Sequence, residues 1–196
     1  MNKTIFQIAL LVLLISCTEK NRTFSESEIA LLPKPASIVL AEASFAFKDG
    51  KQIIANRDEQ RIAANDLSAF IKVKSGLNLE INETSGAIIF EKTEGLDAEA
   101  YELNVTPKNI TIKANDQAGY FYGVQTLKQL VSKEASAETN KTKYLVPSVT
   151  IKDSPRFKWR AYMLDESRYF QGEAFVKKIL DQMAILKMNT FHWHLV

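Results

Sequence analysis

Phe157-Lys158-Trp159-Arg160-Ala161-Tyr162-Met163-Leu164 and Thr190-Phe191-His192-Trp193-His194-Leu195-Val196 are the two segments whose reading decides the fold. Both are short and rich in aromatic and β-favouring residues, so both read as strands, the first as a buried one. Between them, Glu173 to Lys187 puts Phe175, Val176, Ile179, Leu180, Met183 and Leu186 on one stripe and leaves Lys177, Lys178, Asp181 and Gln182 off it. That spacing predicts an amphipathic helix, which Asn189 is expected to close in the left-handed conformation. Strand, helix and strand at this spacing form a βαβ unit, whose strands run parallel. Two parallel strands make no stable sheet by themselves, so the unit is expected to belong to a larger one.

Working back along the chain, Asp153-Ser154-Pro155-Arg156 reads as the turn into this unit. Residues 30–150 read as a separate α+β domain, a mixed sheet covered by two helices. Leu31-Leu32-Pro33-Lys34-Pro35 leads into a strand at Ser37 to Leu40, because each Pro restricts its predecessor to extended geometry. A second extended piece, Ser44 to Phe47, turns at Asp49-Gly50. Asp58 to Lys74 predicts a helix with Ile62, Ala63, Leu67, Phe70, Ile71 and Lys74 recurring at three and four, stopped by Gly76. Strands are expected at Asn78 to Ile81, Ala87 to Glu91, Tyr101 to Thr106 and Asn109 to Ala114, the last two joined as a hairpin through Pro107-Lys108. Asp116 to Val131 predicts the second helix, and Ser132 to Lys143 reads as a polar surface loop. The acidic residues Glu91, Glu94, Asp97 and Glu99 read as a solvated loop around Gly95, and Tyr120-Phe121-Tyr122 as core rather than as a sugar-stacking platform.

Composition narrows the function classes. Of 196 residues, 46% are hydrophobic and 24% charged, a globular balance that excludes a disordered or collagen-like chain, and the length suggests one domain plus something extra. Lys and Arg number 25 against 23 acidic residues, and a net +2 is too small for the basic field of a nucleic-acid binder. One Cys excludes an intrachain disulfide framework and a multi-cysteine zinc site. That Cys closes a secretory pattern: Lys3, the apolar run Ile5 to Ile15, then Ser16-Cys17. Leu14-Ile15-Ser16-Cys17 resembles the bacterial lipobox, so residues 1–16 are expected to be a lipoprotein signal peptide, Cys17 the lipidated residue and residues 17–29 a tether. The run is too short to span a bilayer. Thr18-Glu19 does not resemble an inner-membrane retention signal, so the expected location is an exported lipoprotein anchored in the outer membrane.

Asp153-Ser154-Pro155-Arg156-Phe157, Leu164-Asp165-Glu166-Ser167-Arg168-Tyr169-Phe170 and Lys187-Met188-Asn189-Thr190-Phe191-His192-Trp193-His194-Leu195 together resemble the opening of the catalytic barrel of glycoside hydrolase family 20, the β-N-acetylhexosaminidases. The upstream domain, with Ala118-Gly119-Tyr120-Phe121-Tyr122-Gly123-Val124-Gln125-Thr126-Leu127 in its second helix, resembles the non-catalytic N-terminal domain of the bacterial members. Residues 155–196 are then the first β-α-β portion of a truncated TIM (β/α)8 barrel, a fold of eight such units and about 250 residues. The pattern departs at Tyr169, where the family commonly has His.

The resemblance implies hydrolysis of terminal β-linked N-acetylhexosamine from glycans, with no cofactor and no metal. The substrate's own acetamido oxygen attacks the anomeric carbon while a Glu protonates the leaving oxygen and an Asp orients the acetamido group. That Asp-Glu pair is expected beyond Val196, so no residue of this chain is assigned a catalytic part and the chain alone is expected to be inactive. Arg168 matches the family arginine that holds the sugar hydroxyls, and the guanidinium fork suits vicinal oxygens. The bland alternative is that Arg168 pairs with Asp165 or Glu166 and staples the loop. Asp165 is expected to organise that loop, and His194 to line the pocket edge. Asp165 and Glu166 mimic a paired-carboxylate site, but adjacent residues on a strand end point apart. His192 and His194 share one side of their strand without a visible third ligand for a metal. The rival function is a lipid-anchored glycan-binding or scaffold module without catalysis.

Overall fold

The computed structural model describes residues 22–135 and 142–196. The expected signal peptide and Cys17 lie outside the described residues, as do residues 18–21 of the tether, whereas its later part is described and contains a 3-10 turn at Glu26–Glu28. The upstream domain is one mixed sheet with strands β1 (Ser37–Phe47), β2 (Gln52–Ile54), β3 (Glu80–Asn82), β4 (Ile88–Lys92), β5 (Tyr101–Val105), β6 (Ile110–Ala114), β7 (Ser132–Ala135) and β8 (Thr142–Asp153). Its order is β1-β8-β5-β6-β4-β2-β3, with β7 also paired to β8. The β2–β3, β2–β4 and β4–β6 pairs are parallel, whereas the β5–β6 hairpin and every pair involving β8 are antiparallel.

Helices α1 (Asp58–Ser75) and α2 (Gln117–Leu130) bury the face of this sheet that carries Tyr101, Leu103, Val105 and Ile112. Two glycines on one side of α2 set its distance. A Cβ on Gly119 would stand 2.3 Å from the Ala100 carbonyl oxygen, and one on Gly123 would stand 2.8 Å from Ile112 Cγ2. Asp116 caps the helix by accepting from the Gly119 N–H at 2.7 Å. Gly76 ends α1 with φ +77°, as its position predicts. The opposite sheet face is wet and carries cross-strand ion pairs, Lys152–Glu102 at 2.7 Å and Lys113–Glu91 at 3.2 Å.

Several expectations are corrected. Ser37 to Leu40 and Ser44 to Phe47 are one strand, interrupted by a bulge at which Ala43 has φ 74°. Ser132 to Lys143 is not all loop: β7 and the start of β8 occupy its ends, and residues 136–141 lie outside the described residues. Pro147 hides β8 from a sequence reading, since proline cannot donate to a ladder. It is tolerated because it faces the β1 bulge on one side and falls between the Ser132–Leu145 and Val105–Val149 pairs on the other. In α1, Ile62 is exposed while Gln60 is buried, with Gln60 Oε1 accepting from the Asn56 and Arg57 amides and Nε2 donating to the Phe90 carbonyl. Tyr120 and Tyr122 are buried, in keeping with the core reading.

The βαβ unit forms as expected: β9 (Ala161–Asp165), α3 (Glu173–Ile185) and β10 (Thr190–His194), with β9 and β10 parallel in a sheet of two strands. Phe157 to Leu164 is not the buried strand expected, because Phe157 and Trp159 precede β9 and are exposed, and only Leu164 within it is buried. Along α3 only Val176 and Met183 are buried. Lys187, not Asn189, takes the left-handed conformation after α3, at φ 56°.

Candidate functional site

The strand register builds the candidate site. Pairing runs from Thr190 with Ala161 to His194 with Asp165, so both strands end level and the loop 166–172 springs from that shared C-terminal edge. Alternation puts His192 and His194 together on one side, ring centroids 6.4 Å apart, and Phe191 and Trp193 on the other, 6.0 Å apart. Arg168, Asp165 and His194 are therefore brought to one edge.

Asp165 sits at its centre. Its Oδ1 accepts from the Ser167 amide at 3.1 Å and the Ser167 hydroxyl at 2.7 Å, and lies 3.8 Å from His194 Nδ1. The Ser167 hydroxyl bond, with smaller help from backbone amides and His194, holds the Asp165 carboxyl below its ordinary value. Arg168 Nε is 3.6 Å from Asp165 Oδ2, and the arginine side chain is 89% exposed. A pair this long and this wet is weak, so it does not tie the guanidinium down.

Glu166 points the other way. It is buried, accepts from the Trp193 indole N–H at 2.6 Å and from the Gln171 amide at 2.9 Å, and its own amide donates to the His194 carbonyl at 2.9 Å. Glu166 thus braces the loop onto β10 while Asp165 shapes its open side, and the two carboxylates diverge. Among the described residues no group of three or more His, Cys, Asp or Glu side chains is placed to hold a metal, and no helix is long and apolar enough to cross a membrane.

A second set of polar groups lies at the other end of the strands, and sequence reasoning missed it. Arg160 donates from Nη2 to Glu99 Oε2 at 2.6 Å and to the Tyr122 hydroxyl at 3.1 Å, and from Nε to the Lys187 carbonyl at 2.7 Å. The Lys187 ammonium donates to Asp153 Oδ2 at 2.7 Å and to the Tyr101 hydroxyl at 2.8 Å. Burial lowers the Lys187 pKa against the opposing pull of Asp153, and raises that of Tyr101 with help from the Asp153 charge. Glu99 is thereby not part of a solvated acidic loop. A cavity of about 270 Å³ opens beside these groups, lined by Tyr101, Tyr122, Phe157 and Arg160 among others, far along β9 from Arg168.

An exposed arginine and an ordered carboxylate thus stand at the C-terminal ends of two parallel strands that follow a mixed-sheet domain. Residues 28–154 match glycosyl hydrolase family 20, domain 2, and residues 157–196 match the catalytic domain of the same family. The chain belongs to glycoside hydrolase family 20. It is 32% identical, over 96% of its length, to a β-hexosaminidase of Porphyromonas gingivalis, of which it spans 26%. Its structure resembles the exo-β-N-acetylglucosaminidase of Vibrio harveyi in complex with N-acetylglucosamine, with TM-score 0.77, 35% identity, and 85% of this chain covering 25% of that one. The N-acetyl-β-hexosaminidase of Streptomyces plicatus in complex with thio-NAglucal gives TM-score 0.75 and 34% identity, with 84% of this chain covering 34% of that one. The chain therefore spans about a quarter to a third of the length of these relatives.

Proposed function

We propose that this chain is the accessory domain and the first β-α-β slice of a TIM-barrel β-N-acetylhexosaminidase, which removes terminal β-linked N-acetylhexosamine from glycans by substrate-assisted retaining catalysis. The observation that carries this is the double family match in chain order, with the catalytic-domain match starting at the parallel β9–α3–β10 unit. Names and bound sugars of the relatives support the substrate class.

In this reading Arg168 extends from the open edge and donates its fork to vicinal hydroxyls of the terminal sugar. Asp165 keeps the loop turned so that the fork faces the strand ends, and His194 lines the rim. The proton donor and the acetamido-orienting carboxylate lie outside residues 1–196. The resemblance puts that pair in βα units later than the first of the eight. The chain as given is accordingly expected to show no turnover of a chromogenic N-acetyl-β-glucosaminide, and turnover above a no-protein blank would refute that part of the reading.

Export as a lipoprotein through Cys17, with outer-membrane anchoring, completes the proposal. Its support is the sequence pattern at residues 3–17. Expression of the wild-type chain and a Cys17→Ser variant with a labelled fatty acid tests it: label should follow the wild-type chain to the outer-membrane fraction and be absent from the variant. Equal labelling of both would overturn it.

A further inference from the structure

Among the described residues, the hydrogen bonds from the accessory domain to the βαβ unit gather at one end of it, where α2 also meets the end of α3 through Gln129 Nε2, which donates to the Ile185 carbonyl at 3.4 Å. Arg160 immediately precedes β9, and its amide donates to Asn189 Oδ1 at 3.0 Å while its carbonyl accepts from the Asn189 and Thr190 amides at 2.9 and 3.2 Å. Asn189 Nδ2 in turn donates to Glu99 Oε1 at 3.1 Å. Each Glu99 oxygen thus holds the start of a different strand, Oε2 taking Arg160 and Oε1 taking Asn189. Glu99 is itself fixed in a left-handed backbone at φ 65°, its amide donating at 2.9 Å to Asp116, the residue that caps α2.

The second hook is Lys187. A left-handed conformation is strained for a lysine and free for a glycine, yet here the side chain rather than backbone freedom is used. The ammonium is sunk between Asp153 at the end of β8 and Tyr101 at the start of β5, and Tyr101 also meets Thr126 of α2 at 2.6 Å. The Lys187 carbonyl meanwhile accepts from Arg160. Both hooks therefore tie the N-terminal ends of β9 and β10 to the sheet and to α2 of the accessory domain.

We propose that Glu99 and Lys187 are positioning residues: through them the accessory domain sets the register of β10 against β9, and hence the placement of the sugar-side edge at Asp165 and His194. Nothing in this requires the hexosaminidase reading to hold, because the claim concerns strand placement and is read without substrate.

Trp193 reports that placement, since its indole N–H reaches Glu166 only when β10 lies level with β9. The test is a nitrogen–proton NMR spectrum of the full chain in a Trp159→Phe background, where Trp193 gives the one indole signal. Glu99→Ala and Lys187→Met should each move this signal toward the free-indole position and raise β10 amide exchange at least tenfold, with the β5 and β6 amides unchanged. Glu99→Gln keeps one acceptor oxygen, for Asn189 or for Arg160, and should shift the signal less than Glu99→Ala. An unmoved indole in both variants overturns the proposal. So does loss of β5 and β6 protection in step with β10, which would make these residues general stabilisers.

Discussion

Gly119→Ala probes the contact on which the accessory domain is built. The new methyl would lie 2.3 Å from the Ala100 carbonyl oxygen and 2.8 Å from Ala114 Cβ. Ala100 leads directly into β5, and its amide donates to Asp97 at 3.1 Å, so the obstructing atom is backbone held at both ends. Overpacking of this kind costs typically 1–3 kcal/mol, and the upper half applies because no side chain can swing aside. Replacing glycine inside a helix returns about 0.8–1 kcal/mol. The net expectation is a loss of about 1–2 kcal/mol. At about 2–4 °C per kcal/mol for a chain of this size, the melting temperature falls by about 2–8 °C.

Two neighbours calibrate that value. Gly123→Ala meets Ile112 Cγ2 at 2.8 Å, a side-chain methyl at a longer approach than the 2.3 Å to backbone at Gly119, so it should cost less than Gly119→Ala. Gly76→Ala meets nothing within 4 Å but sits at φ +77°, so its cost of about 1–2 kcal/mol is conformational alone. Urea unfolding followed by far-ultraviolet circular dichroism gives all three differences. A Gly119→Ala variant as stable as the parent, or less damaged than Gly123→Ala, would refute the close packing of α2 on β5 and β6.

Other expectations concern the shared C-terminal edge of β9 and β10. Ser167→Ala removes the main cause of the lowered Asp165 pKa, which should rise toward the ordinary carboxylate value in an NMR titration. Because the folded value lies below the unfolded one, the order that Asp165 lends the loop is present above the unfolded pKa and lost as pH falls through the folded one. The variant should lose it at a higher pH, and an unchanged titration would contradict the hydrogen-bond account. Trp193→Phe leaves one oxygen of buried Glu166 without its donor, a loss of about 1–3 kcal/mol. Amide exchange in residues 166–172 should accelerate accordingly, and unchanged exchange would show that Glu166 does not brace the loop.

The sequence made the helices and the βαβ unit legible because each rests on a local repeat. The Asp58 and Gln117 helices carry apolar spacing and a stop or cap, and the strand pair carries alternation around His192 and His194. What stayed hidden depends on partners distant in sequence. Long β8 contains a proline that only a bulge in β1, about a hundred residues earlier, makes acceptable. Gln60 is buried because Phe90 and Tyr120 supply its partners, which no helical periodicity reports. Glu99 reads as part of a solvated loop, and Lys187 only as the end of a helix, because their counter-ions lie 61 and 34 residues away. At the site, alternation put His192 and His194 on one side, and adjacency on a strand end set Asp165 and Glu166 pointing apart. The use of Glu166 as a brace for Trp193 and Gln171 had no local signal.

The proposed role of Arg168 is to hold the terminal sugar at the open edge of a β-N-acetylhexosaminidase site. Its most direct test is the hydrolysis of a chromogenic N-acetyl-β-glucosaminide by the complete protein encoded in frame with these residues, beside its Arg168→Ala variant. Loss of one charged hydrogen bond to the sugar, about 1.5–3 kcal/mol, should lower kcat/KM by roughly 10- to 150-fold, and loss of a second lowers it further. Turnover by the parent with such a loss in the variant is expected. No turnover by the complete protein, or equal kcat/KM in the two, would contradict it.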